Sequence, residues 1–199
     1  MRIKRLYDSD YKALRMLAFC GNATTNDLLV TGITKTRLIN YKNDGLIKQI
    51  FYQQRRQQRV PDSAWALTLK GRKFIAEKLH IPATNSKNSV KHNVIMAREY
   101  SKLILYHKVD VANILTEFET RELIEQLLDE LKETNITAYW GWYDAYTQKR
   151  MSMPDITIRL GECRYHCIEI ITNNYEELNI TAKKLTAKFL GAEINIIRA

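Results

Sequence analysis

Residues 24–75 read TTNDLLVTGITKTRLINYKNDGLIKQIFYQQRRQQRVPDSAWALTLKGRKFI, and the order of patterns in this stretch decides how the rest of the chain is read. Thr24 or Thr25 is placed to cap a short helix, with Asp27 well sited in its first turn. Leu28, Leu29 and Val30 give that helix an apolar face, and Gly32 ends it. A second helix begins near Thr34 and stops before Gly45. Thr34, Leu38 and Tyr41 recur at steps of four and three, which predicts one buried stripe. Asp44-Gly45 is a good stop, because glycine tolerates the left-handed cap conformation. Lys48–Tyr52 and Ala64–Leu69 then read as the two strands of a hairpin, joined by the polar loop QQRRQQRVPD at 53–62. Thr68–Leu79 returns into a helix, and upstream Tyr11–Cys20 carries Leu14, Leu17 and Ala18 at helical spacing.

This succession resembles a winged helix-turn-helix. Gly45-Leu46-Ile47 after the helix and the run from Trp65 to Arg72 after the loop both match that superfamily's habits. The resemblance implies double-stranded DNA as partner, with the helix at Thr34–Asp44 as the reader. Lys35, Thr36, Arg37, Asn40 and Lys42 fall outside its apolar stripe. Arg37 suits guanine and Asn40 suits adenine, while Thr36 and Lys35 suit bases or backbone. Arg55, Arg56 and Arg59, with Gln57 and Gln58, lie in the loop that would form the wing, where they would clamp phosphates or enter the minor groove. The plainer alternative is the same fold used for protein contacts, with its basic loop only solvated.

Charge supports a division of labour. The chain has 199 residues and a net charge of +9. Residues 1–91 carry 18 Lys/Arg against 6 Asp/Glu, and residues 92–199 carry 13 against 16, so a basic half precedes a mildly acidic one. Residues 81–91, IPATNSKNSVK, are polar and hold few large apolar side chains. The expected organisation is therefore a basic domain over 1–81, a linker over 82–91 and a second domain over 92–199. Three cysteines, Cys20, Cys163 and Cys167, are too few and too odd for a disulfide framework and fit a reducing, cytoplasmic setting. Cys163 and Cys167 flank His166, but strand alternation sends His166 away from Cys167, so these read as structural thiols. No apolar run approaches the ~18 residues of a membrane span, so no membrane partner is expected.

The second half reads as helix (92–107), strand (within 109–118), helix (120–133, with Thr120 as its cap), aromatic-rich segment (137–146), two strands (154–160 and 165–172), helix (176–190) and a last strand at 193–198. That order describes an α/β domain, so the whole chain is of mixed α+β and α/β class. The aromatic segment, Tyr139 to Tyr146, suits core packing or a homodimer surface better than base stacking. Pro154-Asp155 opens the first strand of the pair and Glu169 lies within the second. A hairpin would bring both carboxylates together as hard oxygen ligands for Mg²⁺. The plainer alternative makes Asp155 a turn cap and Glu169 an ordinary strand residue with a salt-bridge partner.

This arrangement resembles the PD-(D/E)xK nucleases, in which an Asp and a Glu bind metal and a Lys two residues after the Glu aids catalysis. Here that position holds Ile171, and an aliphatic side chain cannot orient water. Lys183 or Lys184 on the following helix would have to replace it. The resemblance therefore implies a restriction-endonuclease-like domain that is more simply inactive than active, with no cofactor required unless it cuts. Together the halves resemble the replication-relaxation family of plasmids and integrative elements, over roughly residues 8–197, with Lys91-His92-Asn93 similar to the start of that family's second domain. The resemblance implies a sequence-specific DNA-binding accessory to plasmid replication or relaxase-driven transfer, with a relaxase or replication protein as partner. A metal-dependent endonuclease and a transcriptional repressor with an α/β dimerisation or sensor domain are the alternatives.

Overall fold

The computed structural model describes residues 3–53, 61–82, 88–172 and 177–198. The chain divides into two compact units, 1–111 and 112–199, and its class is α+β. Unit 1 holds α1 (Asp8–Cys20), α2 (Thr25–Leu29), α3 (Lys35–Asn43), β1 (Ile47–Tyr52), β2 (Asp62–Leu67), α4 (Leu69–Leu79) and α5 (Val90–Leu105). Unit 2 holds β3 (Ile114–Leu115), α6 (Glu117–Thr134), α7 (Ile136–Thr147), β4 (Ile156–Gly161), β5 (Arg164–Ile171), α8 (Glu177–Phe189) and β6 (Glu193–Arg198).

Local chemistry sets the helix boundaries of unit 1. Thr24 caps α2: its hydroxyl oxygen accepts from Asp27 N at 3.3 Å, and the Asp27 carboxylate accepts from Thr24 N at 3.0 Å. Thr34 caps α3 by accepting from Arg37 N at 3.2 Å. Thr34 is therefore an exposed cap, and the buried stripe of α3 is Leu38 and Tyr41. Gly45, at φ 71°, turns the chain into β1.

β1 and β2 pair antiparallel from Ile47↔Leu67 to Tyr52↔Asp62. A third partner joins between α1 and α2, where Ala23 bridges Trp65. Trp65 N donates to Ala23 O at 2.8 Å, and the Trp65 indole N–H donates to Thr25 Oγ1 at 2.9 Å. α4 lies so close to Leu46 that a Cβ at Gly71 would sit 1.9 Å from its carbonyl oxygen.

α5 packs on α1 and α2, so the helix assigned from sequence to the second domain gathers with the first unit. Phe19 and Tyr100 meet edge to face at 5.2 Å, and Asn93 Nδ2 donates to Asn22 Oδ1 at 2.9 Å. The compact units part after Val111; the linker expected at 82–91 lies within unit 1, and its residues 83–87 are outside the described residues.

Unit 2 is a four-stranded sheet in the order β3-β4-β5-β6. The first three strands are antiparallel, and α8 carries the chain across to β6, which runs parallel to β5. Leu123, Ile124 and Leu128 of α6, Tyr139 and Ala145 of α7, Cys167 of β5 and Ala187 of α8 share one core. α6 begins earlier than its sequence suggested. Thr116 is its cap, accepting from Glu119 N at 3.0 Å while the Glu119 carboxylate accepts from Thr116 N at 2.7 Å. Thr120, expected as the cap, sits fully buried one turn inside. The aromatic segment is α7, with Tyr139 buried, Trp142 against Phe189 at 5.1 Å, and Trp140 and Tyr143 exposed.

Candidate functional site

Two groups of the expected site residues fall within the described structure, one in each unit. In unit 1, the residues expected to read bases lie on α3. Lys35, Thr36 and Lys42 are exposed and Asn40 is half-buried. Arg37 is placed differently. Its Nε donates to Asp10 Oδ1 at 2.8 Å and its Nη2 to Asp10 Oδ2 at 2.7 Å, a two-pronged pair with a carboxylate that is 0% exposed. A further donation goes to Arg5 O. The guanidinium also lies 5.2 Å from the centre of the Tyr7 ring and 5.6 Å from that of Tyr41. The hydrogen bond to Asp10 pushes the guanidinium above its ordinary value. Burial, then the Asp10 charge, pushes the Tyr41 phenol up. Arg37 thus ties α3 to α1 through its Nε and Nη2 donors.

The outer face of α3 is carried instead by Thr36, Ile39, Asn40 and Asn43, at helical steps of three, four and seven. Ile39 is 53% exposed, although it is a large apolar side chain. Sequence reading passed over Ile39 and Asn43. The available signal was their position opposite Leu38 and Tyr41 on the helix. Arg55, Arg56, Gln57 and Arg59 lie outside the described residues.

In unit 2, Asp155, Glu169 and Lys183 meet. The ladder pairs Ile156 with Ile168, so one step outward sets Asp155 beside Glu169. Asp155 N donates to Glu169 Oε2 at 3.1 Å, and Ile170 N donates to Asp155 Oδ2 at 2.9 Å. α8 turns Lys183, Thr186 and Ala187 inward. The Lys183 ammonium lies 2.7 Å from each Glu169 carboxylate oxygen and 3.8 Å from Asp155 Oδ1. Glu169 is 0% exposed, so one cation answers a carboxylate with no water to solvate it. Of the two lysines proposed from sequence, Lys184 is exposed and Lys183 is the one brought to the carboxylates. Ile171, in the position of the motif lysine, is a buried core residue.

The cluster carries two carboxylates and one ammonium, a formal charge of −1. Two hard oxygen donors suffice for Mg²⁺, which takes one or two carboxylates and completes its shell with water and phosphate oxygens. Among the described residues no group of three or more His, Cys, Asp or Glu gathers to hold a metal on its own. Both Glu169 oxygens already face Lys183, which is the resident counter-charge of the cluster. Thr157 and Cys167 stand on the same sheet face as a register pair, two residues inward along the ladder. Burial first, with a smaller push from Glu169 against a hydrogen bond from Thr157, drives the Cys167 thiol up to about 11. Cys20 is buried and Cys163 exposed, and neither forms a disulfide.

The fold and these two sites define an α+β protein with a basic unit and a unit bearing a buried carboxylate–lysine cluster. Comparison with protein-family models, with curated proteins and with solved structures found no match to the chain. Among the described residues no helix is long and apolar enough to cross a membrane.

Proposed function

We propose that the protein binds double-stranded DNA in a sequence-specific way, through a winged helix in unit 1, and that unit 2 is a restriction-endonuclease-like platform. The observation that carries this reading is the topology of unit 1. α1, a bridging residue at Ala23, α2, α3 and the β1–β2 hairpin follow one another as in a winged helix, with Ala23 supplying the third sheet partner. The charge agrees: residues 1–111 carry 21 Lys/Arg against 8 Asp/Glu, and residues 112–199 carry 10 against 14. α3 itself has no acidic side chain. By resemblance, the setting is replication or relaxase-driven transfer of a mobile element. Selection of bound fragments from a genomic or randomised library tests it. Enrichment of one motif, with affinity that falls steeply as salt rises, supports the reading. Equal or absent retention of all duplexes ends it.

A second reading is favoured by one observation, the meeting of Lys183 with Asp155 and Glu169. In it unit 2 is a metal-dependent nuclease. Asp155 and Glu169 would hold Mg²⁺, which when bound supplies charge neutralisation and an activated water. Lys183 would hold the Glu169 carboxylate in place and face the phosphate. Nicking of supercoiled plasmid with Mg²⁺ or Mn²⁺, lost in Asp155→Ala, would establish it. No nicking by the intact protein leaves unit 2 as a platform.

A further inference from the structure

The chemistry left on the outer face of α3 narrows the kind of DNA it can read. We infer that the target core holds an A·T step, with Ile39 packing on the 5-methyl group of a thymine and Asn40 pairing with adenine. The inference rests on the DNA-binding reading above and deepens it.

Arginine and lysine make the commonest guanine contact, arginine through two parallel hydrogen bonds to the base edge. α3 has one arginine, and Nε and Nη2 of Arg37 are committed to Asp10, a buried carboxylate for which Arg37 is the charge partner and Tyr7 N a further donor. Releasing Arg37 to a base would strand that carboxylate in the interior, at a cost that a base contact does not cover. Four side chains remain on the outward face: Thr36, Ile39, Asn40 and Asn43.

None of the four is a guanine-specific donor pair. Asparagine makes two hydrogen bonds to the adenine edge, and an apolar side chain recognises the thymine methyl, the one hydrophobic group in the major groove. Ile39 lies one residue before Asn40 and is 53% exposed. A buried thymine methyl would take that apolar surface out of water, which explains a branched apolar side chain at the centre of an otherwise polar face. Lys35 and Lys42 stand exposed on the same helix, as point charges for the flanking phosphates.

The experiment uses the full chain. A duplex library with a randomised core is selected, and the best site is then rebuilt with each thymine replaced singly by deoxyuridine, which removes only the methyl group. The expected motif holds a fixed A·T step. One deoxyuridine position costs the native protein about fourfold in affinity, the worth of one methyl taken out of water. Ile39→Ala, at an exposed position and checked for unchanged thermal stability, loses that difference. Asn40→Ala loses the preference for adenine at a neighbouring position. A motif centred on G·C pairs, with the guanine preference lost in Arg37→Lys, overturns the inference and leaves DNA binding standing. So does a flat deoxyuridine series. Failure to retain any duplex removes both the inference and the DNA-binding reading.

Discussion

Arg37 and Lys183 illustrate the same rule at the scale of single residues. Each is a cation closed onto a carboxylate that is 0% exposed, Asp10 in one case and Glu169 in the other. Removing one member of such a pair leaves its partner buried and uncompensated. Arg37→Ala should therefore lower the stability of unit 1 by about 3 kcal/mol, toward the lower end for buried pairs because the arginine is still partly solvated. Urea denaturation measures this, and a loss within error of zero would return Arg37 to the pool of free surface cations. Asn40→Ala should leave the same denaturation curve in place. The position of Arg37 was not legible in the sequence. Helical periodicity places it off the apolar stripe, but its partner lies 27 residues upstream, and nothing local announces that pairing. Lys183 was legible only as one of two candidates, because the inward face of α8 is set by packing on the sheet.

Cys167 yields a pH dependence at the same scale. Its thiol rises from the ordinary 9.0 to about 11 in the folded chain. A group that holds its proton more tightly when folded contributes stability that is fully present below its unfolded pKa. That contribution is lost as pH climbs from about 9 through about 11. Denaturation midpoints should fall across this window, and less steeply in Cys167→Ala than in the native chain. Alkylation at neutral pH should mark the exposed Cys163 and spare Cys167 until the chain unfolds.

At the scale of elements, local signals were read well where the chemistry is local. Thr24, Thr34 and Gly45 mark helix ends because capping and left-handed turns are written in adjacent residues. The pairing of Asp155 with Glu169 was legible because strand alternation and a short turn fix the register. The cap of α6 was missed because two threonines compete for it. Thr116 wins since Glu119 stands three residues on and completes the reciprocal bonds. α7 offers a clean test of propensity. Gly141 is helical, exposed, and a Cβ there would meet nothing within 4 Å. Gly141→Ala should accordingly stabilise the chain by about 0.5–1 kcal/mol, by removing backbone freedom from the unfolded state. A destabilisation on thermal melting would mean that the glycine serves a contact outside this chain. The same change at Gly71 should do the reverse, since its Cβ would collide with the Leu46 carbonyl.

The whole molecule turns on where the first unit ends. Composition placed the boundary in the polar stretch 82–91, because charge and apolar content change there. Yet α5, beyond that stretch, belongs with 1–111. Composition detects a change of surface, while a domain is defined by what its core requires, and the first unit's core is incomplete without α5. Tyr100 is 0% exposed and meets Phe19, Val94 is 1% exposed and clusters with Tyr52 and Ala64, and Asn93 bonds Asn22. Each large apolar side chain so buried contributes about 1.5–3 kcal/mol. Losing several at once consumes most of the ~5–15 kcal/mol that holds a small domain folded. A fragment of residues 1–111 should therefore melt cooperatively and, on the proposed DNA-binding reading, keep whatever duplex affinity the full chain shows. A fragment of residues 1–81 should melt far lower, or lack a transition altogether. Circular dichroism melts of the two fragments decide the matter. Equal stability would show that α5 rides on a finished domain and that the sequence-derived boundary is the functional one.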